Sequence, residues 1–219
     1  MRKLKFDRSM LLLYAVTDRT WTGKQTLEQQ VEAALKAGVT MVQLREKELD
    51  YQDFLKEAVK MRELTRDYQV PLIINDNLEI ALACDADGVH VGQCDLEAKQ
   101  ARALLGKDKI LGVTAKTVEQ ARLAEKNGAD YLGVGAVFGS STKKDAVPMT
   151  VERLGEIARA VSIPIVAIGG ISEANVMGLK GSGIAGIAVV SGIFAAEDVG
   201  KAAEGLLKKA KIITGICGD

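Results

Sequence analysis

Gln43-Leu44-Arg45-Glu46-Lys47 follows one short apolar run of this chain, Asn75-Asp76 closes the next, and Gln93-Cys94-Asp95 follows the one after. Ser140-Ser141-Thr142-Lys143 trails a fourth run, while Gly169-Gly170 and Val190-Ser191 stand at the ends of two more. Carboxylates, cations, small hydroxyls and glycines on one rim could hold a magnesium-bound pyrophosphate beside a second phosphate. Two carboxylates about 4 Å apart repel by roughly 4 kcal/mol at an effective dielectric near 20, a cost that a shared cation relieves. With one or two carboxylates and phosphate oxygens as donors, Mg²⁺ held through Asp76 and Asp95 is the ion expected. The chemistry that follows is transfer of an activated carbon fragment with pyrophosphate leaving.

Each cluster also has a plainer reading. Arg45 and Lys47 could be surface cations at a strand exit. Asp76 and Asp95 could each cap the helix that follows, a role Asp fills well. Gly169-Gly170 could be a tight turn, and Ser140 to Lys144 an ordinary polar loop. His90, the single histidine, lies inside an apolar run and reads as a hydrogen-bonded core residue rather than a metal ligand. Cys94 has no base beside it and reads as a small filler. The plain readings weaken together, because the second, third and fourth runs become neighbours if the runs pair in chain order.

The elements that must position these groups are legible. Eight short runs alternate with helical patterns: Leu11–Val16, Thr40–Leu44, Leu72–Ile74, Gly88–Val91, Ile110–Val113, Tyr131–Val134, Ile165–Ile168 and Gly186–Val190. They are mostly continuously apolar, as strands covered on both faces require. Thr26 with Gln29 and Thr117 with Gln120 predict capping boxes, and Thr150 and Ser172 predict N-caps. Gly38, Gly128 and Gly181 predict helix C-caps, and the Lys36–Val42 and Lys126–Leu132 stretches read as one repeated helix-turn-strand phrase. The expectation is an α/β fold, a single (β/α)8 TIM barrel over residues 1–219, with an extension at 1–10 and a tail at 211–219. The rival, a doubly wound open sheet, usually has fewer strands, and no Gly-x-Gly-x-x-Gly follows the first run. From Lys208 onward the chain reads as a frayed end.

Composition limits the function classes. Lys plus Arg and Asp plus Glu both number 29, so the basic surplus of a nucleic-acid binder is missing. Three cysteines without a C-x-x-C suit a reducing compartment. Residues 1–8 are basic but lead into too short an apolar core for a signal peptide, and no run approaches the roughly 20 residues of a membrane span. A cytoplasmic protein acting on small molecules, without nucleic-acid or membrane partners, is expected.

At these same residues the sequence resembles the thiamine-phosphate synthase family, over about Leu13 to Leu207. The motifs are Gln43-Leu44-Arg45-Glu46-Lys47, Ile74-Asn75-Asp76, His90 to Asp95, Gly112 to Ala115, Ser140 to Lys143, Ile168 to Ile171 and Val190-Ser191. The resemblance implies condensation of hydroxymethylpyrimidine pyrophosphate with thiazole phosphate through a carbocation formed as pyrophosphate departs. It implies Asp76 and Asp95 on Mg²⁺, with Arg45, Lys47, Asn75 and Lys143 on the pyrophosphate. Gln43 and Thr114 would lie along the pyrimidine, and Ser140, Thr142, Gly170, Val190 and Ser191 would receive the thiazole phosphate. Leu44, Glu46 and Ser141 fall in the same substrate-binding segments, and Arg45, Lys47, Lys143 and Thr114 are the expected catalytic groups. Thr114 stands where the family pattern has Ser, and Gly139-Ser140 replaces its Pro-Thr. Two other functions fit the same barrel: a thiazole tautomerase, which has no need of the Arg45, Lys47, Asp76 and Asp95 set, and a non-catalytic sensor of thiamine phosphate.

Overall fold

The computed structural model describes residues 5–23, 25–92, 98–139 and 149–216. Its strands are β1 (Leu13–Val16), β2 (Met41–Leu44), β3 (Leu72–Asn75), β4 (Gly88–Val91), β5 (Ile110–Ala115), β6 (Tyr131–Gly135), β7 (Ile165–Ile168) and β8 (Gly186–Val189). Each pairs in parallel with the next, and β8 pairs with β1, so the sheet closes into a barrel in chain order. The helices are α1 (Leu27–Lys36), α2 (Tyr51–Asp67), α3 (Leu78–Ala83), α4 (Ala98–Leu105), α5 (Val118–Lys126), α6 (Val151–Ala160), α7 (Ser191–Phe194) and α8 (Val199–Thr214). This is the (β/α)8 barrel the alternating runs predict, and the doubly wound sheet is excluded by the closure. No helix among the described residues is long and apolar enough to cross a membrane.

Alternation along each strand divides the molecule into two cores. Leu13, Ala15, Val42, Leu44, Leu72 and Ile74 face outward and meet the helices. Tyr14, Val16, Met41, Ile73, Ile110, Tyr131, Val166 and Ala188 fill the barrel interior. Both faces of every strand are therefore covered, which is why the runs read as continuous apolar stretches.

The repeated phrase has a structural reason. Thr40, one residue before β2, accepts the Leu13 N–H on Oγ1 at 2.9 Å while its own N–H donates to the Leu13 carbonyl at 2.9 Å. Asp130, one residue before β6, repeats this on Leu111, with 2.7 Å to its Oδ2 and 2.8 Å from its N–H. Asp87, before β4, does the same on Leu72 at 2.8 and 2.9 Å. A side-chain acceptor at this position satisfies a strand-entry N–H that has no ladder partner. Gly38 and Gly128 turn the chain into these residues with φ of +93° and +90°, backbone that glycine adopts at no steric cost.

The helix signals are met in part. Thr26 and Gln29 form a full capping box on α1. Thr117 caps α5, but the Gln120 Oε1 accepts from the Lys116 N–H at 2.8 Å, one residue earlier than the box expects. Thr150 caps α6. Ser172 starts no α-helix: only a 3₁₀ turn, Val176–Leu179, joins β7 to β8, and Asn175 precedes it. Gly178, Gly181 and Gly183 in this stretch disfavour a longer helix. The stretch from Lys208, read as a frayed end, is instead the last turns of α8 to Thr214, with Ala210 and Ile213 buried and Gly215 ending it at φ +73°. Lys208, Lys209 and Lys211 hide the Leu206, Ala210, Ile213 stripe from a reading of local polarity. Within the extension at 1–10, Phe6 stacks on Tyr131 with ring centroids 6.1 Å apart, and Met10 packs into the interior core.

Candidate active site

From β2 to β5 polar residues stand near the strand C-termini: Gln43 on β2, Asn75 on β3, His90 on β4 and Thr114 on β5. Gln43 and Asn75 lie two residues beyond the inward-facing Met41 and Ile73, and Gly112, two before Thr114, faces Tyr131 and His90. Asn75 pairs with His90 in the β3–β4 register, and His90 pairs with Gly112 in the next. One step beyond the Leu44–Ile74 pair, Arg45 leaves β2 beside the end of β3.

A buried hydrogen-bonded chain runs across the barrel. The Gln43 Nε2 donates to the Tyr14 Oη at 2.6 Å, and the Tyr14 and Tyr131 hydroxyls lie 2.9 Å apart. The Tyr131 Oη reaches the His90 Nδ1 at 3.0 Å, and the His90 Nε2 reaches the Thr114 Oγ1 at 3.0 Å. Burial pushes both phenols above their ordinary pKa, Tyr14 against the opposing effect of its hydrogen-bonded contacts with Tyr131 and Gln43, so both stay protonated at neutral pH. His90 is thus a hydrogen-bonded interior residue, as its place inside a run suggested. Gly112 leaves room for it: a Cβ there would sit 2.2 Å from the Tyr131 Cζ and 2.5 Å from the His90 Nδ1.

Arg45 is fixed from the neighbouring end of β1. Its Nη1 donates to the Asp18 Oδ2 at 2.9 Å, and its backbone N–H donates to the Thr17 Oγ1 at 3.0 Å. Burial would raise the Asp18 pKa, but hydrogen bonds from Thr20 and the Arg45 charge outweigh it and hold the carboxyl below its usual value. Asp18 and Thr17 follow β1 just as Arg45 follows β2, so the rule that picked Arg45 could have picked them. Lys47 is exposed. Glu46 is turned into an ion pair with Arg19 at 2.8 Å and its carboxylate is almost fully buried, which raises its pKa. Leu44 faces the outer core and can offer a ligand only its backbone.

Asp76 is not a helix cap. Asn77 caps α3 by accepting the Ile80 N–H at 2.9 Å, which removes the plain reading of its neighbour. Asp76 takes a left-handed φ of +61°, donates its N–H to the His90 carbonyl at 2.8 Å and accepts from the Asn75 Nδ2 at 2.6 Å, with its carboxylate on the surface. A non-glycine residue held at such a φ is a common feature of ligand sites. Asp95 and the Ser140, Ser141, Thr142 and Lys143 segment lie outside the described residues, as does Cys94. Among the described residues no three His, Cys, Asp or Glu side chains gather as a metal centre. Asp76 and Asn75 offer hard oxygen donors, a set that suits Mg²⁺, which takes one or two carboxylates and otherwise phosphate and water oxygens.

At the far side of the rim, Gly169 and Gly170 have φ of +103° and +64° and pack against the backbone of residues 136–139. A Cβ on Gly170 would meet the Phe138 carbonyl oxygen at 2.5 Å. Val190 and Ser191 leave β8 on the adjacent strand, with Ser191 opening α7.

The fold and the site together define a (β/α)8 barrel whose polar groups converge at the strand C-termini. The sequence profile of thiamine monophosphate synthase matches residues 13–193, and the chain belongs to that family. A thiamine-phosphate synthase of Ruminiclostridium cellulolyticum is 53% identical over 196 residues, covering 90% of this chain and 93% of that protein. One of Methanobrevibacter smithii is 49% identical over 201 residues, covering 92% and 96%. A solved structure, thiamine phosphate pyrophosphorylase from Pyrococcus furiosus, superposes with a TM-score of 0.87 at 38% identity, covering 94% of this chain and 98% of that one.

Proposed function

We propose that this barrel joins hydroxymethylpyrimidine pyrophosphate to thiazole phosphate, giving thiamine phosphate and pyrophosphate. The bond from the pyrimidine methylene carbon to the pyrophosphate oxygen breaks, and a bond from that carbon to the thiazole nitrogen forms. The observation that supports this most is that Arg45, tied to Asp18 and Thr17, and the Asn75–Asp76 pair stand at the C-terminal ends of the paired strands β2 and β3. Arg45, Lys47, Asn75 and Lys143 bind the pyrophosphate, whose negative charge grows as it leaves; fixed donors aimed at that charge lower the barrier. Asp76 and Asp95 would hold Mg²⁺, and the ion would supply positive charge that stabilises a pyrophosphate leaving group. Gln43 and Thr114 orient the pyrimidine, and Ser140, Ser141, Thr142, Gly170, Val190 and Ser191 receive the thiazole phosphate.

A thiazole tautomerase would leave the Asp18-anchored Arg45 without a role. The deciding experiment incubates pure protein with both substrates and Mg²⁺ and follows pyrophosphate release. Release should require both substrates and stop when a chelator is added. If none is released, the proposal is wrong.

A further inference from the structure

Gln43 and Thr114 stand at the two ends of the buried chain through Tyr14, Tyr131 and His90. One direction along it gives every donor an acceptor within the chain. The Gln43 amide nitrogen donates to the Tyr14 oxygen, and with that site on the oxygen taken the Tyr14 hydroxyl proton finds its acceptor in Tyr131. The Tyr131 oxygen then accepts, and its proton turns to the His90 Nδ1. That nitrogen must be unprotonated, which places the ring proton on Nε2, donating to the Thr114 oxygen. The Thr114 hydroxyl proton is therefore directed away from His90, while Gln43 keeps its carbonyl oxygen as an acceptor.

We propose that Tyr14, Tyr131 and His90 are positioning residues that set the hydrogen-bond polarity of the pyrimidine site, making Gln43 the acceptor end and Thr114 the donor end. The inference rests on the reading of Gln43 and Thr114 as pyrimidine contacts. An aminopyrimidine edge presents the complement, an amino donor next to a ring-nitrogen acceptor. An oxo-pyrimidine with a protonated ring nitrogen presents the reverse order and would set acceptor against acceptor and donor against donor at the two ends, a strong basis for rejection. Every member is constrained: Tyr14 and Tyr131 pack edge to face with centroids 5.9 Å apart, and His90 lies 5.5 Å from Tyr131. Reversing the polarity needs the Gln43 amide to turn over and four further groups to follow.

The chain has one histidine, so ¹⁵N-histidine labelling gives two ring-nitrogen signals from His90 alone. The free protein at neutral pH should show a protonated Nε2 and an unprotonated Nδ1. Tyr131→Phe should mix the tautomers and raise the KM for the pyrimidine substrate roughly tenfold, the worth of about one lost hydrogen bond. The KM for thiazole phosphate should stay within about twofold, a split that a general loss of stability would not produce. Tyr14→Phe should act in the same direction. A protonated Nδ1 in the unaltered protein overturns the proposal. So does a Tyr131→Phe protein whose histidine spectrum and pyrimidine KM are unchanged. Because the spectrum needs no turnover, an enzyme inactive on both substrates would refute the proposed reaction while the tautomer still decides the polarity.

Discussion

The two mouths of the barrel use similar residues differently. At the strand N-termini, Asp87 and Asp130 each bind a strand-entry N–H and an arginine: Arg62 Nη2 is 3.3 Å from Asp87, and Arg102 Nη2 is 2.6 Å from Asp130. Arg102 also donates to the carbonyls of Gly128, Gly106 and Lys109, so its donors are spent on the fold. At the strand C-termini, Asp76 sits on the surface at a left-handed φ, and Arg45 is anchored by one carboxylate. Carboxylates that finish backbone hydrogen bonds stabilise; the exposed Asp76 closes no strand-entry N–H among the described residues. The chemistry of the side chain is the same, and its position along the strand sets which role it takes.

The sharpest way to break this comparison is to alter one acid at each mouth. Asp76→Asn should lower turnover about 100- to 1,000-fold, as loss of one charge-stabilising group does, with little change in melting temperature. Asp130→Ala should leave KM and kcat near their starting values and cost about 2–3 kcal/mol, seen as a fall of roughly 5–10 °C in melting temperature. If Asp130→Ala changed KM more than melting temperature, the floor would have a functional role. Asp18→Ala should free Arg45 and raise the KM for the pyrophosphate-bearing substrate about threefold to tenfold, with a smaller effect on the thiazole phosphate. An unchanged KM would mean that Arg45 needs no anchor.

The smallest expected effect is in acid. The Asp18 pKa is lowered in the fold, so its stabilisation is complete above the ordinary carboxylate value near 4 and is lost as pH falls through its lower folded value. The Asp87 pKa is raised, chiefly by burial, against the opposing Leu72 hydrogen bond and Arg62 charge. Its contribution therefore has the opposite sign: present below about 4 and lost as pH rises through the raised value. Asp18→Asn should flatten the acid limb of a melting-temperature profile below about pH 5, and Asp87→Asn should not.

Much of the fold can be read from the chain because the signals are local. The runs Gly88–Val91 and Ile165–Ile168 coincide with β4 and β7, since strands buried on both faces carry their limits in hydrophobicity alone. The end of α8 was hidden because its lysines lie opposite a narrow apolar stripe. Ser172 looked like a cap, yet the glycines that follow it allow only a 3₁₀ turn. Of the candidate site, Gln43, Arg45, Asn75 and Asp76 can be picked from their places at run ends, while Thr114 enters only through the family resemblance. The anchor of Arg45 and the Tyr14–Tyr131 bridge do not, because they join residues 27 and 117 positions apart.

By itself the sequence determined the alternation of strand and helix, the closed barrel and the kinds of residue on its active rim, because periodicity and caps act within a few residues. Only the tertiary structure decided that Asp76 leaves capping to Asn77, that Asp18 holds Arg45, and that Tyr14, Tyr131 and His90 tie Gln43 to Thr114. Those choices depend on strand register and on which side chains meet inside the closed barrel, and such meetings exist only once β8 has found β1.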